Sequence, residues 1–414
     1  MKILFINKYD ITGGAAVVAF RLHKALEQYY STTNHFLTGI KKSNYSYITP
    51  TRPDGLPNNF ERGLNYSFNL FGLQYFYFPI STKTILKTIR EFGPDIISMH
   101  NIHGGYFKTS LLPELSKFAP IVWTLHDMWA FTANSAHTFN DESWKNLKAG
   151  ENERKQFPSI GLNTGNFLIK RKAAIYSKTN LTIVTPSNWL FQLASNAPAL
   201  SGKKIYRIPN GINLSVFSPR DKYKIRKELK IPENDKVLIF SAEKILTGNY
   251  KGGESLLRIL EYLDDRLVEK IYLLIIGNVN KKIFSSFENF NVNCTGYIYE
   301  GEKIAKYLAA ADLFIYPTKA DNLPNALIEA SACGTPSVTF DVGGCKEIIK
   351  DNYNGFVIFK DNIELFVERV LEILYDNNKT NEFSQNGLNL IKNEFSEEKF
   401  ADDYFKLFET LMNK

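Results

Sequence analysis

The chain has 414 residues, 44% hydrophobic and 22% charged, with 50 Lys and Arg against 43 Asp and Glu for a formal charge of +7. That composition excludes a disordered, collagenous or low-complexity chain, and at roughly 100–200 residues per domain the length predicts two domains with cores of their own rather than a small binding module. The charge is uneven: residues 1–204 hold 23 Lys and Arg against 12 Asp and Glu, and residues 205–414 hold 27 against 31, so the basic half is expected to face an anionic partner unless its lysines are simply solvated.

Residues 3–6 read as a short buried strand. After a turn containing Thr12-Gly13-Gly14, residues 15–26 have helical apolar spacing, so the chain opens with strand, glycine loop and helix. The opening apolar run is shorter than the core of a signal peptide, and no stretch approaches the roughly 18 apolar residues of a membrane span. The expected location is therefore cytoplasmic, with room for peripheral contact at the inner face of the cell membrane. Residues 66–78 carry seven aromatics, Tyr66, Phe68, Phe71, Tyr75, Phe76, Tyr77 and Phe78, and a basic helix with Lys83, Lys87 and Arg90 follows. Core packing is the favoured reading of this stretch, and a surface resting on lipid headgroups is the functional one. Residues 95–99, 121–125 and 181–185 read as further buried strands separated by helical stretches, the pattern of a parallel sheet covered on both faces.

A second series begins after residue 205, with strands at 236–240, 271–277, 313–316 and 336–340 and helices at 252–263, 301–311, 323–333 and 361–376. Residues 396–412 form an amphipathic helix outside both series that is expected to dock back on the first. Two doubly wound α/β domains bind ligands at the carboxyl ends of their strands. Cys294, Cys333 and Cys345 are too few and too irregular for a disulfide framework or a zinc site. All six histidines fall within residues 1–137, but no pair has the i, i+4 spacing of a helical metal site.

The sharpest pattern is Asp321-Asn322-Leu323-Pro324-Asn325-Ala326-Leu327-Ile328-Glu329-Ala330, followed by Cys333-Gly334-Thr335-Pro336. Pro324 stands where a first helical turn begins, which predicts free N–H groups at residues 325–327 for a diphosphate. Asp321 and Glu329 are expected at sugar and ribose hydroxyls, because a carboxylate accepts hydrogen bonds from two neighbouring hydroxyls. The stretch resembles the acidic-x7-Glu motif of the retaining glycosyltransferases of family 4, which have the GT-B fold, with Asp321 where that family usually has Glu. Gly13-Gly14-Ala15-Ala16 resembles the family's first glycine loop. Leu125-His126-Asp127-Met128-Trp129 and Asn101-Ile102-His103-Gly104-Gly105 look like motifs of a branch that builds bacterial exopolysaccharides, and Pro186-Ser187-Asn188 and Pro209-Asn210-Gly211 are similar to its interdomain crossing.

The resemblance implies an acceptor-binding Rossmann-like domain at 1–204, a nucleotide-sugar-binding one at 205–394 and a helix at 395–414 packing on the first. It implies transfer of a sugar, with retention and without a metal or other cofactor, from a nucleotide-diphosphate sugar. UDP is the first choice and GDP the second. The acceptor would be a hydroxyl of a glycan or polyprenyl-diphosphate-linked glycan. His126, Lys251, Asp321 and Glu329 would carry the chemistry. Gly13, Gly14, Lys244, Gly277, Tyr297, Ile298, Leu323, Pro324, Asn325, Ala326 and Leu327 would hold the donor, and His100, His103 and Asp127 the acceptor. Lys251 matches the lysine of a diphosphate-binding cation pair, while the family's arginine has no clean counterpart and Lys244 is only a candidate for it. Two other readings fit the same motifs, a nucleotide-sugar epimerase or hydrolase and a noncatalytic nucleotide-sugar-binding subunit. A nicotinamide enzyme or P-loop protein lacks its glycine motif here, and nucleic-acid binding has no motif behind it.

Overall fold

The computed structural model describes residues 1–244, 250 and 252–413, residues 242–244 by their backbone alone. The chain divides into two compact units, Met1–Gly211 with Glu398–Lys414, and Ile212–Glu397.

The first unit is built on seven parallel strands: β1 (Lys2–Tyr9), β2 (Thr33–Ile40), β3 (Ile48–Pro50), β4 (Ile96–Met99), β5 (Ile121–Thr124), β6 (Leu181–Thr185) and β7 (Lys204–Arg207). Their order in the sheet is β3-β2-β1-β4-β5-β6-β7. Strands β4, β5 and β6 are buried at every residue, as strands covered by helices on both faces must be, and so they read as largely apolar runs in which only Ser98, Thr124, Thr182 and Thr185 are polar. Strands β2 and β3 have no such run: β2 mixes Thr33, Asn34, His35 and Thr38 with its apolar residues, and β3 is a three-residue edge. Strand β7 corrects the domain boundary expected at residue 204. It pairs with β6 from Thr182↔Lys204 to Thr185↔Arg207, so the division falls after Gly211. As an edge strand with Lys204 and Arg207 exposed, it carries too few apolar residues to announce itself.

On one face of this sheet Ile3, Phe5, Val18 and Leu22 pack with Phe400, Ala401, Tyr404 and Phe408 of the helix Glu397–Met412. The Tyr404 and Thr124 hydroxyls meet at 2.7 Å, and the Tyr30 hydroxyl donates to Asp402 at 2.8 Å. The aromatic segment divides: Tyr75 and Phe78 are core residues, while Tyr66, Phe71 and Tyr77 are exposed. Of Lys170, Arg171 and Lys172, only Lys170 is exposed.

The second unit has six parallel strands: β8 (Val237–Lys244), β9 (Ile271–Asn278), β10 (Phe290–Gly296), β11 (Leu313–Tyr316), β12 (Ser337–Phe340) and β13 (Gly355–Ile358). Their order is β10-β9-β8-β11-β12-β13. Alternate residues of β8 serve opposite faces, Leu238 and Phe240 on one and Val237 and Ile239 on the other. In each sheet the strand order reverses beside its first strand, between β1 and β4 and between β8 and β11. Loops leaving the carboxyl ends there run to opposite faces and leave a crevice, the usual ligand position of a doubly wound sheet.

Candidate functional site

In the first unit the loops after β1, β4 and β5 meet at such a reversal. Gly13 caps the helix Gly14–Tyr30 at φ 88°, a conformation that disfavours any side chain. The β4 loop is tied to β1 through the Asn101 N–H, which donates to Asn7 Oδ1 at 2.8 Å. His100 Nδ1 and His126 Nε2 lie 3.0 Å apart, and His103 Nε2 is 2.7 Å from Asp127 Oδ2. The Trp129 N–H donates to Asp127 Oδ1 at 2.9 Å, and the Trp123 indole N–H donates to the His100 carbonyl at 2.8 Å. His100, Asn101, His103, His126, Asp127 and the two tryptophans line one small pocket.

Burial pulls the His126 imidazole down to about 4 despite neighbouring Asp127, and burial with His126 alongside holds His100 well below the ordinary range. Both rings are neutral at pH 7, so one donates to the other and the pair locks one tautomer of each. Burial pushes the Asp127 carboxyl up, but His103 and the Trp129 N–H outweigh it and hold Asp127 below its usual value. His100 and His103 are buried, at 1% and 6% exposure, whereas His126 and Asp127 are partly exposed. That corrects the acceptor role expected of His100: it stands behind His126 and orients it. Lys172 is buried against the same loop. Its ammonium donates to the Trp129 carbonyl at 2.5 Å and the Thr132 carbonyl at 3.3 Å, and it sits 3.6 Å from the Trp129 ring centroid.

In the second unit the loops after β8 and β11 come together. The Lys319 and Ala320 N–H groups donate to the Tyr250 carbonyl at 2.8 and 3.2 Å, and the Thr318 hydroxyl donates to it at 2.9 Å. Gly252, at φ 70°, leaves no room for a side chain, since a Cβ would lie 1.7 Å from the Pro317 carbonyl oxygen. Tyr250 and Gly252 flank Lys251, so the chain on both sides of that lysine is stitched to the loop bearing Asp321. Lys251 itself, and the Lys244 side chain, lie outside the described residues.

The helix Asn325–Ala332 follows, capped by Pro324, with Leu323 buried and Glu329 partly buried one turn in. One of the amides expected to be free is committed, because the Leu327 N–H donates to the Pro324 carbonyl at 3.1 Å. The Asn325 and Ala326 positions open the helix where its dipole favours an anion. At the other flank of β8, Gly277 is the last residue but one of β9 and Gly296 ends β10, and an irregular register sets Gly296 opposite both Ile276 and Gly277. Tyr297 follows at 4.6 Å from the Tyr299 ring, and Ile298 packs on the core. The sequence gives no signal for Tyr316, whose hydroxyl donates to Asp321 Oδ2 at 2.6 Å. Among the described residues no group of three or more His, Cys, Asp or Glu side chains is disposed to hold a metal ion.

Comparison with known proteins agrees with this layout. Residues 12–216 match the family described as Glycosyltransferase Family 4, and residues 221–390 match Glycosyl transferases group 1. WcaC of Escherichia coli K12, a putative colanic acid biosynthesis glycosyl transferase, is 25% identical over 368 residues, 84% of this chain and 85% of that one. An uncharacterized glycosyltransferase of Methanocaldococcus jannaschii is 30% identical over 171 residues, 40% of this chain, and the match spans 43% of that relative's length. Among solved structures, sucrose-phosphate synthase from Thermosynechococcus elongatus superposes with a TM-score of 0.72 at 16% identity, covering 100% of this chain and 99% of that one. Anabaena HepE in complex with UDP-glucose superposes at 0.68 and 16% identity, covering 99% and 100%. At such identities the likeness to the solved structures is one of fold.

Proposed function

The chain belongs to the glycosyltransferases that join a family 4 domain to a group 1 domain on the GT-B fold, and we propose that it moves a sugar, with retention, from a nucleotide-diphosphate sugar to a glycan or lipid-linked glycan hydroxyl in surface polysaccharide synthesis. One observation carries the reading: the loops with His126 and Asp127 in the first unit, and those flanking Lys251 and bearing Asp321 in the second, leave the carboxyl ends of strands at or beside the reversal of each sheet. The name of WcaC supports the polysaccharide setting, and the UDP-glucose complex of HepE makes a UDP-sugar the first donor to test.

In this mechanism the diphosphate leaves with growing negative charge. Lys251 and the opening turn of the helix Asn325–Ala332 meet that charge with a cation and with aligned amide dipoles. Asp321 takes hydroxyls of the donor sugar, Glu329 those of the ribose, and the backbone at Gly277, Tyr297 and Ile298 holds the base. His126, neutral and fixed by His100, contacts the donor sugar, and Asp127 with His103 orients the acceptor. No side chain acts as a covalent nucleophile: the donor's own phosphate oxygen accepts the acceptor proton. Cations of the chain replace a metal, so transfer should survive EDTA.

A thermal-shift screen of UDP-, GDP- and dTDP-sugars tests donor binding, because a ligand specific for the folded state raises its apparent stability. A shift with one nucleotide is expected, and none with any would overturn the proposal. Lys251→Ala should then lower turnover by at least ten-fold at an unchanged unfolding temperature. Turnover equal to the parent's removes Lys251 from the mechanism. Donor incubated without acceptor should hydrolyse only slowly, whereas fast acceptor-free turnover would point to a hydrolase or epimerase.

A further inference from the structure

We infer that Tyr316 is a positioning residue that fixes the Asp321 carboxylate in one orientation and so sets which donor-sugar hydroxyls the site accepts; this rests on the placing of Asp321 at the sugar under the proposed function. The observations are local and concordant. Tyr316 ends β11, is 4% exposed and stacks on Phe314 with ring centroids 5.7 Å apart. Its carbonyl accepts the Thr339 hydroxyl at 2.9 Å, which pins the strand end to β12. Its hydroxyl reaches Asp321 Oδ2 at 2.6 Å, and the Asn322 N–H donates to Oδ1 at 2.9 Å, so each carboxylate oxygen has a fixed donor.

The backbone under the carboxylate is held as firmly. Gly343, at φ 55°, sits where a Cβ would fall 1.7 Å from the Asp321 carbonyl oxygen, and the Gly344 N–H donates to the Asn322 carbonyl at 2.7 Å. Burial, and Asp321 itself, push the Tyr316 phenol well above its ordinary value, so it stays protonated and donates to the carboxylate. An O–H bond to a carboxylate is short and strong. With a donor on each oxygen, the carboxylate is fixed in space rather than swept by rotation about the side chain, and so is the direction in which it meets sugar hydroxyls.

The test uses the full chain, with calorimetric binding of UDP, UDP-glucose and UDP-galactose to the parent, Tyr316→Phe, Asp321→Ala and the double variant. Tyr316→Phe keeps the buried ring and loses the donor. It should bind UDP like the parent, bind the preferred UDP-sugar about ten-fold more weakly, and discriminate less between the two epimers. Because Tyr316 acts through Asp321, adding Tyr316→Phe to Asp321→Ala should change nothing further; a residue with only a packing role would weaken UDP as well and add its effect to the double variant. Parent-like affinity and discrimination in Tyr316→Phe, or additive effects in the cycle, overturn the inference while leaving Asp321 in place. If Asp321→Ala binds both sugars like the parent, or the parent binds no nucleotide sugar of any base, the site reading itself fails and takes this inference with it.

Discussion

Lys172 shows how one buried cation writes a pH dependence into the protein. Burial pulls its ammonium down to about 7, although the Trp129 and Thr132 carbonyls and the Trp129 ring all surround it. An unfolded lysine holds its proton to about pH 10. Above pH 7 the unfolded chain therefore binds more protons than the folded one, and stability rises with pH; the charged form is the costly one in the fold. Between pH 7 and 9 this single group should add about 2 kcal/mol. Thermal unfolding at several pH values should show the climb in the parent and a flatter profile in Lys172→Met. An equal slope in both would mean that the ammonium keeps its proton to ordinary pH. His126 works from the acid side. Its folded value near 4 lies below that of an unfolded histidine, so the stability its neutral form secures is complete above about pH 6.5 and erodes as pH falls towards 4.

At the scale of elements, a buried ion pair joins two helices in the first unit. Glu61, on the helix Leu56–Leu70, is fully buried and accepts from the Ile80 and Ser81 N–H groups at 2.6 and 2.9 Å, from the Ser81 hydroxyl, and from Arg52 at 3.0 Å. It supplies the carboxylate cap that the helix Pro79–Phe92 lacks in its own sequence, since Phe78 precedes it. Arg52 continues the tie to the Gly105 carbonyl at 2.9 Å, beside the histidine loop. Glu61→Gln keeps the shape but leaves Arg52 buried without its counter-charge. Such a loss costs about 3–5 kcal/mol. Urea unfolding should show it, with amide exchange fastest in the helix Pro79–Phe92; a change under 1 kcal/mol would mean that solvent reaches the pair. The second unit has a counterpart: Asp312 takes Arg226, Lys222 and the first N–H of β8, each at 2.8 Å.

Across the whole molecule, the excess of positive charge and one cluster of exposed apolar side chains fall in the same unit. Residues 1–204 carry the excess of Lys and Arg. Leu56, Phe60, Tyr66 and Phe71 stand 85%, 56%, 67% and 65% exposed on and just after one helix, and Lys83, Lys87 and Arg90 are exposed on the next. No helix among the described residues is long and apolar enough to cross a membrane. Contact with a lipid-linked acceptor is therefore proposed to be peripheral, with apolar side chains at the headgroup level and lysines near anionic lipid, each worth about 1 kcal/mol and screened by salt. The full chain should sediment with phosphatidylglycerol vesicles at low salt and be released at high salt, and Lys83→Glu with Lys87→Glu should weaken it. Equal binding to neutral vesicles at high salt would remove the electrostatic part, and no binding to either would remove the contact.

The sequence by itself determined the two doubly wound sheets and the motifs at their edges. Central parallel strands such as β4, β5, β9 and β11 are buried on both faces over nearly all their length and are mainly apolar, so composition exposes them. Edge strands such as β3, β7 and β13 have one neighbour and carry no such obligation, which is why β7 went unread and the boundary moved to Gly211. Asp321, Glu329, His126 and the glycines stood out because their spacing along the chain is itself the pattern. What only the tertiary structure decided is which side chains meet: His100 behind His126, Lys172 under Trp129, Glu61 capping a second helix, Tyr316 aiming Asp321. Hydrogen bonds of this kind join residues that chain folding alone brings within 3 Å, and no local periodicity encodes them.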